Sequence, residues 1–169
     1  MGQKIIPFGS NLTAEFAVIQ ARLNLELKKV EGGTVEGLME ASIHIRRETE
    51  ATEPLTPIDK GNLRQSWFSV AAKGKAKDPV GSGRFKGPKA SEMKADHITL
   101  ISESKGRASV SKEPVVIMGY SVNYAAPVHE MIGNKFKRPG AGPKWLESAV
   151  YRNRDKIVRI VADNARIKG

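Results

Sequence analysis

The chain has 169 residues, 28 of them Lys or Arg and 18 Asp or Glu, giving a formal net charge of +10, and it contains no cysteine. This length suits one domain that buries roughly 70% of its unfolded surface without covalent staples, and the missing thiols exclude disulfide scaffolds, thiolate metal sites and cysteine nucleophiles. The charge points to an anionic partner (nucleic acid, an acidic protein surface or lipid headgroups), and the apolar runs are too short for a secretory core or a membrane span, so the sequence reads as a soluble protein made inside the cell.

Leu12, Phe16, Ile19, Leu23, Leu27 and Val30 recur at spacings of four and three, which predicts a helix over 10–31 with one apolar stripe. That stripe can pack on its own domain or on a neighbouring subunit. Gly32 and Gly33 are read as its end, because glycine takes the left-handed conformation cheaply. Thr34 is placed as the cap of a second helix over 34–52, with Val35, Leu38, Met39, Ser42 and Ile45 buried and His44 on the opposite, exposed side. In "TPIDKGNLRQSW", Thr56 fits an N-cap, Pro57 the first helical position and Asp59 a capping-box acid, with Gly61 turning the chain into a strand. "WFSVAA" then alternates: Phe68, Val70 and Ala72 face one side of a sheet and Trp67, Ser69 and Ala71 the other.

Residues 73–96 show neither helical nor strand period and read as a long loop inserted in the sheet region 66–120. Between Lys73 and Lys94 stand seven basic residues (Lys73, Lys75, Lys77, Arg84, Lys86, Lys89 and Lys94) against two acidic ones, half of the net charge of the chain. Three readings suit this loop: contact with nucleic acid, docking on an acidic protein ring, or a solvated insertion. Phe85 is its one aromatic residue, which gives little support to base stacking. "HITLIS" (97–102), "RASVS" (107–111) and "PVVIMGY" (114–120) read as strands, with "ESKG" as a hairpin turn, for three to four antiparallel strands. The final helix, 142–167, carries an inner stripe of Leu146, Ala149, Val150, Asn153, Ile157, Ile160, Val161 and Asn164.

The chemical motifs are weak. "GSGRFKGPKAS" has Pro88 after Gly87 where a phosphate loop needs Lys and then Ser or Thr. His129-Glu130 lacks the second histidine of a zinc-protease helix, and His44 and His97 lie on other elements. No nucleophile elbow occurs. No catalytic residue, metal site or cofactor is therefore expected, and His129 reads as a polar residue at a turn or a subunit contact.

Three blocks, "TPIDKGNLRQSW" (56–67), "YSVNYAAPVHEMIG" (120–133) and "RPGAGPKWLESAV" (138–150), resemble in order and spacing the neck or tail-completion proteins of long-tailed double-stranded DNA bacteriophages, often labelled minor tail component or minor capsid protein. The matching positions are Thr56, Pro57, Asp59, Gly61, Leu63, Arg64 and Ser66; Tyr120, Tyr124, Ala125 and Glu130; and Pro143, Trp145, Leu146 and Ala149. The sequence departs from the family at Lys60, at Met131 to Asn134 and in its long basic insertion. The resemblance implies an α+β subunit: a small antiparallel sheet of three to four strands packed with long N-terminal and C-terminal helices. It implies a structural, non-enzymatic virion protein at the head–tail junction, made in the cytoplasm of the host bacterium. There it would form a homo-oligomeric ring of six or twelve copies around the DNA channel. Its partners would be itself, an adaptor or connector, a tail terminator or the tail tube, and packaged DNA in non-specific contact, with no membrane. Alternatives are a tail terminator of the same region and a basic nucleic-acid-binding protein. Tyr120, Tyr124, His129, Glu130 and Trp145 are the candidate interface, and the seven basic residues the candidate channel- or partner-facing loop.

Overall fold

Two glycines that the sequence places at a helix end lie in the middle of one. Helix α1 spans Ser10–Ala51 without a break, 42 residues and about 63 Å at ~1.5 Å per residue. The structure, a computed structural model, describes residues 10–72 and 78–166, with side chains from Ala21 onward save those of Arg22, Glu26 and Leu27. Lys73, Lys75 and Lys77, the end of the helix expected to reach 167, and the stripe side chains of Leu12, Phe16, Ile19 and Leu27 lie outside the described residues.

The continuity of α1 has a packing cause. Helix α6 (Arg154–Ala165) crosses it so closely that a Cβ on Gly33 would lie 2.2 Å from the Asn164 carbonyl oxygen, and one on Gly37 2.7 Å from Val161 Cα. Glycine is there to let two backbones meet, not to stop a helix. Thr34, expected as a cap, instead donates its hydroxyl to the Val30 carbonyl at 2.8 Å, the back-bond of a residue inside a helix. The two helices run antiparallel: Asn164 Nδ2 donates to Glu40 at 2.9 Å at one end, and His44 meets Asn153 at 2.9 Å at the other. Helix α1 therefore has two covered faces, which corrects the exposed placement of His44. Gly33, Gly37 and His44 face α6, while Val35, Met39 and Ser42 face the sheet.

The fold is α+β. Strands β1 (Trp67–Ala71) and β2 (Val116–Tyr120) pair antiparallel, from Trp67 opposite Tyr120 to Ala71 opposite Val116. Among the described residues these two strands are the whole sheet, with Val80 adding a single bridge opposite Phe68. The expected alternation along β1 holds. Ser69 Oγ lies 2.7 Å from Ser42 Oγ, and Ala71 packs with Val35 and Met39, so the odd positions face α1. Phe68 and Val70 point to the other face, against which α3 (Ala90–Ser109) packs.

The count of three to four strands fails because of α3. Residues 97–102, the ESKG turn and most of 107–111 form one helix, and its start at Ala90 also shortens the expected loop 73–96. Its inward positions, Met93, His97, Ile101, Ser104 and Ala108, do recur at four and three. Two of them are His and Ser, so a count of apolar residues misses the stripe. Ile98, which made HITLIS look like a strand, is exposed.

The expected helix over 142–167 is two helices, α5 (Trp145–Arg152) and α6, parted at Asn153. The Asn153 amide donates to the Ala149 carbonyl at 2.9 Å, while its oxygen accepts from His44 on α1. The predicted inner stripe otherwise holds, with Ala149 and Ile160 buried; Val150 is exposed. Two short helices, α2 (Asn62–Gln65) and α4 (Ala125–Glu130), complete the described elements. No described helix is long and apolar enough to cross a membrane.

Candidate interface site

The three blocks that carry the family resemblance meet in space, and their meeting point is Trp145. Its ring is 1% exposed and packs among Leu63, Val122 and Ala125, one residue from the first block and two from the second. Tyr120 meets it edge-on at a centroid distance of 6.1 Å and His129 at 4.7 Å. This corrects the placement of Trp145 at a subunit contact: it is a core residue, turned inward by Lys144, which adopts a left-handed φ of 57° just before α5. Tyr120 is half-buried on that core, its hydroxyl 3.5 Å from Thr49.

A second junction ties the same blocks together by charge. Glu50, near the end of α1, receives Arg46 at 2.8 Å, Arg64 of the first block at 3.1 Å and Arg138 of the third at 2.7 Å. Its side chain is 17% exposed. Burial alone would raise the carboxyl pKa, but the three guanidinium groups outweigh it and hold Glu50 below the usual carboxylate range. Thr56, expected to cap a helix, instead closes this end of α1: its amide and hydroxyl donate to the Thr49 carbonyl at 2.8 and 3.1 Å.

His129 and Glu130 gain a neighbour that the sequence did not show. With Glu147 they offer three ligand atoms, all within 4.8 Å of one another, the spacing of a metal site. The hydrogen bonds oppose that use. His129 Nδ1 lies 2.7 Å from Glu130 Oε1 and its Nε2 accepts the Glu147 backbone N–H at 3.4 Å, so both ring nitrogens are engaged and the proton sits on Nδ1. Lys144 Nζ pairs with Glu130 and, at 3.0 Å, with Glu147, so an ammonium stands where a divalent cation would. Lys144 first, then His129, holds Glu130 below the ordinary glutamate value. The Lys144 amide also donates to the His129 carbonyl at 2.7 Å. His129 is thus a strut between α4 and the first turn of α5, and only Glu130 of the pair is well exposed.

A cleft of about 550 Å³ opens beside this junction, between the turn before α2, the Lys86–Lys89 segment, α4 and residues 135–137. Leu63, Met93 and Val128 form its apolar floor, and Tyr124 lines it. Burial, and then the nearby Asp59 carboxylate, raises the Tyr124 hydroxyl above the ordinary tyrosine value. Asn62 builds one wall. Buried itself, it donates to the Lys86 carbonyl at 2.9 Å and accepts the Lys86 N–H at 2.8 Å. This two-way bond spans a gap of 24 residues and was not legible in the sequence, where Asn62 is one polar residue in a turn.

Of the basic residues picked out in the sequence, the structure brings Lys86 and Lys89 to this cleft and adds Lys60, Lys135 and Lys137. Arg84 and Lys94 are exposed outside its lining. No protein-family model, no curated protein and no solved structure matches this chain.

Proposed function

We propose that this chain is a structural protein of a phage neck, forming a closed ring that connects the head to the tail or completes the head-proximal end of the tail, without catalysis. One observation carries the reading: large apolar side chains are left uncovered on the outer helices while the chemically capable groups are engaged with one another. Leu23 and Leu25 on α1 are 57% and 59% exposed, and every described side chain from Ala21 to Lys29 faces solvent. Tyr151 and Val158 on α5 and α6 are likewise exposed. A ring closes by heterologous contacts, one patch meeting a different patch on the neighbour, and two such apolar patches on separate helices suit that geometry. His129, Glu130 and Glu147, the residues best placed for chemistry, hold α4 to α5 instead. The sequence resemblance of the three blocks supports the same reading.

Negative-stain imaging of phage particles lacking the gene tests it: heads and tails that fail to join are expected, and normal infectious particles refute it. Complementation with a Leu23→Asp/Leu25→Asp variant should fail while the purified variant keeps its melting temperature, because those side chains contribute to association rather than to the fold.

A further inference from the structure

The lysines around the cleft have a use that a ring does not explain. Lys60 Nζ lies near Gly87, 3.8 Å from where a Cβ on that residue would be, so Lys60 joins Lys86 and Lys89 on one side. Lys135 and Lys137 line the same cleft. Among the described residues, Lys60, Lys86, Lys89 and Lys135 make no ion pair, whereas Lys137 pairs with Asp59 at 2.5 Å. Leu63, Met93 and Val128 give the cleft an aliphatic and thioether floor, and Tyr124 and Phe136 line it as well.

We propose that this cleft binds an extended acidic segment of a partner protein, with one aliphatic side chain seated on the Leu63–Met93–Val128 floor and flanking carboxylates on the lysines. Charge and shape select this occupant. Five lysines around one acid make a strongly positive rim, and the concave apolar floor accepts a branched aliphatic group. Nucleic acid is the competing occupant: the cleft has two aromatic residues, Tyr124 and Phe136, but both are half-buried and Tyr124 packs on the Trp145 core, which leaves less open ring face for stacking bases than aliphatic floor for a branched side chain. Asp59 acts as an internal competitor: it holds Lys137 until a partner carboxylate replaces it. The two-way bond of Asn62 to the Lys86 backbone sets the position of the Lys86 row before anything binds. The inference does not depend on the ring, since the cleft lies within one chain.

Fluorescence anisotropy of the full chain tests it, with a short fluorescein-labelled peptide of Glu and Asp around a central Leu as the probe. Saturable binding is expected, weakened about tenfold by Lys86→Glu/Lys89→Glu and tightened by Asp59→Asn. A charge-matched control, Lys156→Glu/Arg159→Glu on the exposed side of α6, should leave it unchanged. A peptide with Ser in place of the Leu should bind less tightly. Equal loss in the α6 control, equal binding of the Ser peptide, no binding at all, or tighter binding of labelled oligothymidine would each overturn the proposal.

Discussion

Adjacent glycines in α1 should respond to the same substitution with opposite signs. A Cβ at Gly32 meets no atom within 4 Å, so Gly32→Ala only lowers the entropy cost of a helical glycine. That gain is about 0.8–1 kcal/mol, which in a chain of this size raises the melting temperature by roughly 2–4 °C. Gly33→Ala gains the same propensity term, but its methyl would sit 2.2 Å from the Asn164 carbonyl oxygen and 3.0 Å from its carbon. The first distance is more than about 1 Å inside ordinary non-bonded contact. Both atoms belong to the backbone of α6, so no side chain can swing aside and the helices must part. Overpacking of this kind costs about 1–3 kcal/mol and often more when backbone is involved, which outweighs the propensity gain. Thermal unfolding followed by circular dichroism, with both variants measured side by side, reads the difference directly. A Gly33→Ala protein as stable as Gly32→Ala would refute the close approach of α1 and α6, and with it the explanation for the unbroken helix.

Other substitutions probe the junction of the three blocks. Trp145→Ala should cost about 3–5 kcal/mol in denaturant unfolding. Trp145→Phe should cost less than Trp145→Ala, because it leaves a smaller cavity and because the buried indole Nε1 has no hydrogen-bond partner among the described residues, so removing it relieves an unpaired donor. Glu50→Gln should destabilise by about 1.5–3 kcal/mol, the range for hydrogen bonds to charged groups, since Arg46 and Arg138 keep their positions but lose the carboxylate between them. Stability should also fall with acid in two stages. Burial lowers the pKa of His97, whose Nδ1 bonds Ser121 at 2.7 Å, so below about pH 6.5 the unfolded chain takes up a proton that the folded chain refuses. The depressed Glu50 carboxyl adds its loss below about pH 4.5 as pH falls through its folded value. Urea titrations at a series of pH values should show the first slope vanish in His97→Gln, and its persistence would assign the slope elsewhere.

Local pattern made some of this molecule readable before its structure. The Val35–Met39–Ser42 face, the alternation along β1 and, Val150 apart, the inner stripe of the C-terminal helices follow from period, and the structure keeps them. The misreadings share one cause, which is that a distant element decides the local outcome. Gly33 looks like a stop until α6 is laid across it. His97 and Ser104 look polar until Ser121 and the sheet cover them. Of the candidate site, the sequence showed His129, Glu130, Tyr124 and two of the cleft lysines. It hid Glu147, Asn62, Lys60, Lys135 and Lys137, because these reach the site through turns whose directions no spacing encodes.

The closure of α1 also bears on the order in which the chain becomes native during synthesis. The end of that helix and the residues just after it are met from far downstream: Arg138 donates to the Glu50 carbonyl, and Arg152 to the carbonyls of Thr52 and Glu53, at 2.9 to 3.3 Å. About one hundred residues separate Arg152 from its acceptors. A nascent chain released up to Gly133 therefore has its longest helix exposed along the α6 face and lacks the Arg138 and Arg152 contacts at its end, though Thr56 can already close on Thr49. Ribosome-bound fragments ending there should be cut by protease within α1, and fragments extended past Ala165 should resist. In the native chain the C-terminal pair of helices is the clasp over that face of α1.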